Sequence, residues 1–555
     1  MNPPRILSSR PAALLPPALL LFCLGLWAVD VFIWDEWIIW AHVLEKLNHG
    51  LFGLADLAAQ QNEQRNLAAR LAGLALMPAF GLNRLPECLL NVLLAGACAL
   101  LAVRLFRLTA GGRAEPPVLA FSLLAFSLLQ WETFSVGINS SVLLPVLGIW
   151  AGAAIAAAGP PTAGRLAALA LTGLAPSFSF VNGLFFWPCL WPLLLFRAEN
   201  RSQRLLALLA WPLLGALVWA AYFAGYQSPA HHPSALSALW PPWRLPAYVL
   251  AYLGGALAGD RNLLVPAMLA GAFALFALAV LLRAAVNAGP EGRKRAAPWL
   301  PVVGFSLCSA LATALGRGGF GPGQALESRY ATFSGALWMS LAALWVLFDA
   351  DLPKRAARLL RRGLLCCLGL FLLSSVLAAV VLRDHAPRQE RAREELFRLT
   401  DADALRPVFP DPAYVAAKLP LFLERRLGPY RFLRPFGDYA RLDGTAGEFT
   451  VEPALGLEGR LGGFRVSGRL EGRARPTILV AAGERVVGVA RGGTDGSFEL
   501  FLPDTALAAG PATLTAFALE DGGRALRPLE PKDGAAVVNR PRPAVFHVDE
   551  KFLAG

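Results

Sequence analysis

The sequence predicts a mostly α-helical, polytopic membrane protein that ends in a small β-rich domain. Three observations carry this. Of the 555 residues, 56% are hydrophobic and 16% are charged, well under the roughly 25% charged residues of soluble domains. Apolar runs of about 18 residues or more recur along the first two thirds of the chain, the length a helix needs to cross a bilayer. After about residue 383 these runs stop, and short strand-like segments between Gly- and Asp-rich turns take over.

The first apolar run, near 12–33, has Arg5 and Arg10 before it and no small-residue cleavage site after it. It reads as a retained first span and not as a removed signal peptide. About eleven spans are expected, near 12–33, 86–105, 116–130, 141–158, 165–180, 183–196, 204–226, 263–283, 298–315, 329–348 and 363–382. The basic residues cluster in every second connection, for example Arg104, Arg107 and Arg113, then Arg293, Lys294 and Arg295, then Lys354, Arg355 and Arg358. The short loops around 131–140 and 181–183 hold none. This bias is expected to set the N-terminus in the cytoplasm and the C-terminal region on the outer side of the membrane. The segment 245–258 is too short to fit that alternation as a span and is expected as a half-helix or re-entrant piece.

The net charge of +12 is explained by these topological loops, and no Lys/Arg-rich helix with interleaved aromatics points to nucleic acid. All seven cysteines (Cys23, Cys88, Cys98, Cys189, Cys308, Cys366 and Cys367) lie in or beside apolar runs. That placement argues against a disulfide framework and against a thiolate metal site.

The outer connections hold the unusual residues. The first, about 34–85, is too long for a simple connector. It opens with "WDEW", placing Asp35 and Glu36 among tryptophans immediately after a span. Trp37, Trp40, Ala41, Leu44 and Leu47 then recur at helical spacing, with His42, Lys46 and His49 on the other face. This suits a helix lying in the membrane interface. A second helix is expected from about Asp56, with Glu63 and Arg65 in its polar first half. Further along, "QWETFSVGINSS" carries Trp131 and Glu132, "SFSFVNGLFFWP" turns around Asn182 and Gly183, and a glycine-rich loop carries Arg317, Glu327, Arg329 and Tyr330. The glycines of that loop lack nucleotide-loop spacing and a preceding strand, which excludes a P-loop. His231 and His232 adjoin in a Pro-rich loop and are a weak metal candidate.

A long first outer loop with an acidic pair after the first span resembles the GT-C superfamily of membrane glycosyltransferases. "DEW", "NEQR", "QWETF", "FVNGLFFWP" and "SRYATFS" are similar to the pattern of a group of poorly characterised bacterial GT-C-like proteins, with Gln64 standing where that group has His. The resemblance covers roughly residues 12–383. It implies an enzyme that takes a sugar from a polyprenyl-phosphate carrier and passes it, with inversion, to a glycan, lipid or protein acceptor at the outer face. A glycosidase needs two carboxylates because its leaving alkoxide must be protonated. A polyprenyl phosphate leaves readily, so one carboxylate suffices as base. Asp35 is the first candidate; Glu36 binds the acceptor or exchanges roles with it, and Asp30 is a third candidate, or else a helix-end group. The departing phosphate needs cations, for which Arg329, Arg65 and Arg317 lie on the outer side, with Arg261 and Arg244 as alternatives. Glu63, Trp131, Glu132, Asn182 and Tyr330 complete the expected substrate-binding set. No cofactor is called for; a divalent metal is compatible with the chemistry, and nothing in the sequence supports one.

The rivals are a lipid-linked sugar transporter or flippase, a glycan polymerase or ligase, and a non-catalytic assembly protein. Ion-coupled transporters place ionisable groups within their spans, at about 2.5–3.5 kcal/mol each on insertion scales. The middles of these spans are nearly free of them.

Residues 384–444 read as a charged amphipathic helix followed by a Pro-punctuated linker. From about 445, "FRVSGRL", "TILVAAGERVVGVAR", "GSFELFLP" and "ATLTAFALEDGG" predict strands of a small β-sandwich, which resembles immunoglobulin-like or carbohydrate-binding modules.

Overall fold

The computed structural model describes residues 8–229, 235–472, 474–534 and 536–540. Arg5, His231 and His232 lie outside them. The chain divides into two compact units. The first comprises residues 1–28, 57–74 and 85–383, and the second residues 29–56, 75–84 and 384–555. The long connection expected at about 34–85 is therefore divided between the two units. Its acidic opening belongs with the C-terminal residues 384–555, and the NEQR segment belongs with the helical unit.

The first unit is helical. Each of the eleven expected spans contains a helix, but among the described residues only eight helical segments are long and apolar enough to cross a membrane. These run from Arg84–Ala110 to Lys354–Glu395. The helices at the expected spans 12–33, 165–180 and 183–196 fall short of that length, as Ala12–Trp27, Ala163–Ser177 and Val181–Arg197. Ala163–Ser177 carries Pro176 in its last turn, and the chain leaves the helix at Phe178. Leu89, Leu93 and Leu100 on one helix, and Leu365, Leu372 and Val376 on another, are exposed. Large apolar side chains facing outward in rows fit a surface that meets lipid.

The bundle core is aromatic at its centre. Trp150 meets Trp299 edge-on with ring centroids 5.9 Å apart, and Phe106 meets Trp299 at 6.4 Å. The segment expected as a half-helix forms Arg244–Gly254, only 11 residues long. It packs backbone to backbone on Leu264–Asn287. A Cβ at Gly254 would stand 1.9 Å from the Ala267 carbonyl oxygen, and one at Gly271 would stand 2.0 Å from that of Leu250. Only glycine permits that approach.

In the second unit, helix Asp35–Asn48 forms as its periodicity predicts, with Trp37, Trp40, Ala41 and Leu44 buried. The second expected helix does not start at Asp56. A single turn at Leu54–Leu57 is followed by a tight loop in which Gln61 and Gln64 exchange backbone hydrogen bonds of 2.8 Å, and the helix begins only at Leu67. The stretch QQNEQR offers no apolar face to bury, and Asn62 takes a left-handed conformation at φ +50°.

The C-terminal strands are β1 (Ala440–Arg441), β2 (Gly447–Gly456), β3 (Leu461–Leu470), β4 (Thr477–Ala482), β5 (Arg485–Arg491), β6 (Ser497–Pro503), β7 (Gly510–Glu520), β8 (Ala525–Pro531) and β9 (Val537–Arg540). They form one hydrogen-bonded path, β5-β4-β7-β8-β2-β3-β6, with β1 on β8 and β9 on β7. The two ends, β5 and β6, lie against each other. The result is a nearly closed, barrel-like sheet in place of the two stacked sheets expected. The joint that makes the difference is the parallel pairing of β8 with β2, which ties the two antiparallel sets into one sheet. Val466, Ile478, Val480, Leu502 and Leu529 fill its interior.

Candidate functional site

The first unit gathers most of the expected site residues. The QWETF turn is fixed from several sides. The backbone N–H of Glu132 donates to Ser328 Oγ (3.1 Å), and the Ser328 hydroxyl donates to the Leu129 carbonyl (2.7 Å). The hydroxyls of Thr133 and Thr332 are 3.0 Å apart. Asn91 donates its amide to the carbonyls of Thr133 and Val136 at 2.9 and 3.0 Å, and Asn139 donates to the Glu132 carbonyl at 2.9 Å. A short helix of five residues, Trp131–Ser135, is too small to hold itself; these bonds hold it.

Beside this turn lies a cavity of about 350 Å³ with two kinds of lining. Glu132, Asp260, Arg261, Glu327 and Ser328 supply its polar lining, and Leu129, Leu326, Leu377 and Val381 its apolar lining. Arg261 and Glu327 form an ion pair in which the arginine is largely exposed and the acid mostly covered. The Glu132 side chain is buried at 6% exposure. Its carboxylate takes a hydrogen bond from the backbone N–H of Arg329 and lies in the fields of Arg329, Glu327 and Arg261. Its Oε2 atom, and the hydroxyl of Ser374 on the same cavity, are buried with no hydrogen-bond partner among the described residues. A buried polar atom left in that state costs about 1–3 kcal/mol, so an acid and a hydroxyl lining one cavity in this way mark it as a place for polar ligand atoms.

The other expected residues have more settled surroundings. Glu63 and Arg317 are joined at 2.5 Å, both mostly covered. Arg65 is a clamp: its guanidinium donates to the carbonyls of Tyr222 (2.7 Å), Ala58 (2.8 Å) and Ala224 (2.6 Å), and lies over the Tyr222 ring. The Tyr222 hydroxyl returns a bond to the Glu63 carbonyl at 2.6 Å. Gln64 accepts the Val181 N–H at 2.6 Å, tying the NEQR loop to the turn of Asn182, which is itself buried with its amide nitrogen unpartnered among the described residues. Tyr330 stacks on Tyr252 at 5.4 Å and lies 3.5 Å from the Gln324 amide, while Arg329 covers its ring at 5.7 Å. Arg244 donates to the Ser237 carbonyl at 2.9 Å.

Asp35, Glu36 and Asp30 belong to the second unit. Glu36 is fully enclosed; it accepts the Ile33 N–H at 2.9 Å and faces the equally enclosed Arg84 at 3.7 Å. Arg84 also donates to the Val29 carbonyl, and its backbone N–H donates to Asp30 at 3.0 Å. Glu36 thus holds the chain's entry into helix Asp35–Asn48. Asp35 is half-buried and opens that helix. Before it, Trp34 is held at φ +49° with its side chain 42% exposed, a conformation that strains a bulky residue and that concentrates at functional sites.

Sequence reasoning passed over Ser374 and gave Arg261 second rank. The signal for the serine was present: the pair Ser374–Ser375 interrupts the apolar run FLLSSVLAA. Among the described residues no group of three or more His, Cys, Asp or Glu side chains is placed to hold a metal ion. Compared with known proteins, the chain matches no family model and no curated sequence.

Proposed function

We propose that this protein is a membrane glycosyltransferase of GT-C type, which moves a sugar from a polyprenyl-phosphate carrier to a glycan, lipid or protein acceptor at the extracytoplasmic face of the bacterial inner membrane. The observation that carries the reading is the cavity's mixed lining, with an acid oxygen and a hydroxyl left unpartnered among the described residues, beside apolar side chains. A lipid-linked sugar has a charged, hydroxyl-rich head on a hydrocarbon tail. A lining that mixes Glu132, Ser374 and Arg261 with Leu377 and Val381 offers partners to both ends of such a molecule.

In this reading the acceptor hydroxyl oxygen attacks the anomeric carbon as the bond from that carbon to the phosphate oxygen breaks, and the hydroxyl proton passes to a carboxylate. Glu132 is the group we assign as base, because it is buried beside the cavity with one oxygen free to accept. General-base help of this kind contributes about 10²–10⁴ in rate. Arg261 neutralises the departing phosphate, with Glu327 holding its guanidinium at the rim. Ser374 holds a sugar hydroxyl. Asp35 is the alternative base, and the strained Trp34 before it is the reason to keep it under test. The C-terminal barrel is assigned to holding the acceptor.

The test is consumption of labelled polyprenyl-phosphate sugars by the purified protein in nanodiscs, with Glu132→Gln and Asp35→Asn compared in parallel. Transfer lost in Glu132→Gln supports the assignment, and loss in Asp35→Asn alone moves the base there. A wild-type protein that carries intact lipid-linked sugar across the bilayer without cleaving it is a transporter, and the proposal fails.

A further inference from the structure

The second unit has a cavity of its own, of about 280 Å³. Its walls come from four separate stretches of chain. Asp30 follows the first helix, Arg393 and Phe397 lie at and just past the end of Lys354–Glu395, Arg431 and Phe432 follow a turn at Gly428–Tyr430, and Arg491 closes β5. Three guanidiniums therefore face a single carboxylate.

The partners of those arginines leave positive charge over. Arg431 pairs with Asp30. Arg393 pairs with Glu390 at 2.7 Å on its exposed side, while its Nε atom is buried with no partner among the described residues. Arg491 stacks on Phe397 at 4.1 Å and reaches Phe432 at 6.0 Å. Among the described residues no carboxylate lies within ion-pair distance of it. Burial and the like charge of Arg393 hold the Arg491 guanidinium below its ordinary pKa, against the pull of Glu394 and Glu390. Arginine stays charged even so. Two faces of the cavity are aromatic, and Phe432 is 42% exposed, so a ring or acyl group can rest against it.

We propose that this pocket binds a phosphate monoester, the phosphate oxygens held by Arg393, Arg431 and Arg491 and the attached organic group resting on Phe432. Arg393, Arg431 and Arg491 outnumber their paired carboxylates, Glu390 and Asp30, by one charge, which favours an anion such as a phosphate monoester, carrying about −1.5 to −2 at neutral pH. The planar fork of each guanidinium fits phosphate oxygens in pairs. The volume lies just under the roughly 300–1,000 Å³ of drug-sized sites, so the pocket takes a headgroup and not a whole lipid. This site stands on its own observations and holds whether or not the Glu132 cavity transfers a sugar. Its natural ligand is either a soluble sugar phosphate or a phosphorylated lipid headgroup, and the two have separate arms in the test.

The experiment uses the full-length detergent-purified protein, with glucose 1-phosphate and inorganic phosphate as soluble probes and glucose as the uncharged control. The lipid arm uses nanodiscs of phosphatidic acid against phosphatidylcholine. Binding of glucose 1-phosphate or of phosphatidic acid is expected, at least about tenfold weaker in Arg491→Met and in Arg393→Met, and unchanged in Arg469→Met on the exposed face of β3. The arm that binds identifies the source. Arg491→Lys keeps the charge without the planar fork and is expected between wild type and Arg491→Met. Arg393→Met leaves the ring stack of Arg491 intact, so it carries the test if Arg491→Met folds poorly. Failure of every phosphate probe to bind, methionine variants that bind as wild type does, or an equal loss in Arg469→Met would overturn the proposal.

Discussion

Glu36 and Glu132 are both acids buried in a hydrophobic chain, and they are buried for opposite purposes. Glu36 has a guanidinium at 3.7 Å and a backbone N–H at 2.9 Å, and both it and Arg84 are sealed from solvent. Glu132 takes one backbone N–H and keeps an oxygen unpartnered among the described residues, beside a cavity. Burial alone does not separate structural acids from chemical ones; the state of the remaining lone pairs does. An acid whose bonds are complete has nothing left to offer a substrate, whereas an incompletely bonded one carries a cost that a ligand can relieve.

The largest expected effect tests the structural half of that contrast. Replacing Glu36 with Leu leaves Arg84 charged and enclosed without its partner, and losing one member of a buried pair typically costs about 3–5 kcal/mol. Thermal unfolding in detergent should show it as a large drop in midpoint. A midpoint unchanged in Glu36→Leu would mean that Glu36 is not holding the fold, and the contrast would collapse. Glu132→Gln should behave in reverse, with transfer reduced by about 10²–10⁴ and unfolding shifted little, because the charge removed was never fully paired. Arg65→Ala sharpens the comparison among the cations. Three carbonyls lose a charged donor, so stability is expected to fall by about 2 kcal/mol, while Arg261→Ala, which removes a largely exposed side chain, should leave the midpoint within about 1 kcal/mol and lower only transfer.

The smallest effect concerns Asp401, an acid at the surface of the second unit. The Arg391 hydrogen bond, helped by the Ala404 N–H, holds its carboxyl below the usual carboxylate range. Its contribution is therefore present above the unfolded value of about 3.9 and is lost as pH falls through the lower folded value. Asp401 and Arg391 are both partly exposed, so Asp401→Asn should cost no more than about 1 kcal/mol at pH 7. The gap between variant and wild type should close as pH drops below about 4, read as the difference in midpoint across a pH series.

Much of the architecture was legible because periodicity is written in the order of residues. The apolar runs located a helix at every expected span, and Trp37, Trp40 and Leu44 announced the buried face of Asp35–Asn48. What could not be read was pairing across the chain. Nothing in the strands of the C-terminal region says that β8 will join β2 in parallel and bend two sheets into one. The QQNEQR stretch was misread as helix because polar residues of high helix propensity look helical without a face to bury. At the candidate site, the sequence singled out Trp131 and Glu132 as an odd pair between two apolar runs. It could not show that Ser374, more than two hundred residues later, would line the same cavity. Nor could it tell that Glu36 would be taken up by Arg84, since the two lie in separate helices.

The most direct test is a single-turnover measurement of sugar transfer from a polyprenyl-phosphate donor, made on wild type and Glu132→Gln at matched folding midpoints. A variant that binds the donor as tightly as wild type but transfers at least about a hundredfold more slowly is the predicted result. A Glu132→Gln protein that transfers at the wild-type rate would contradict the account.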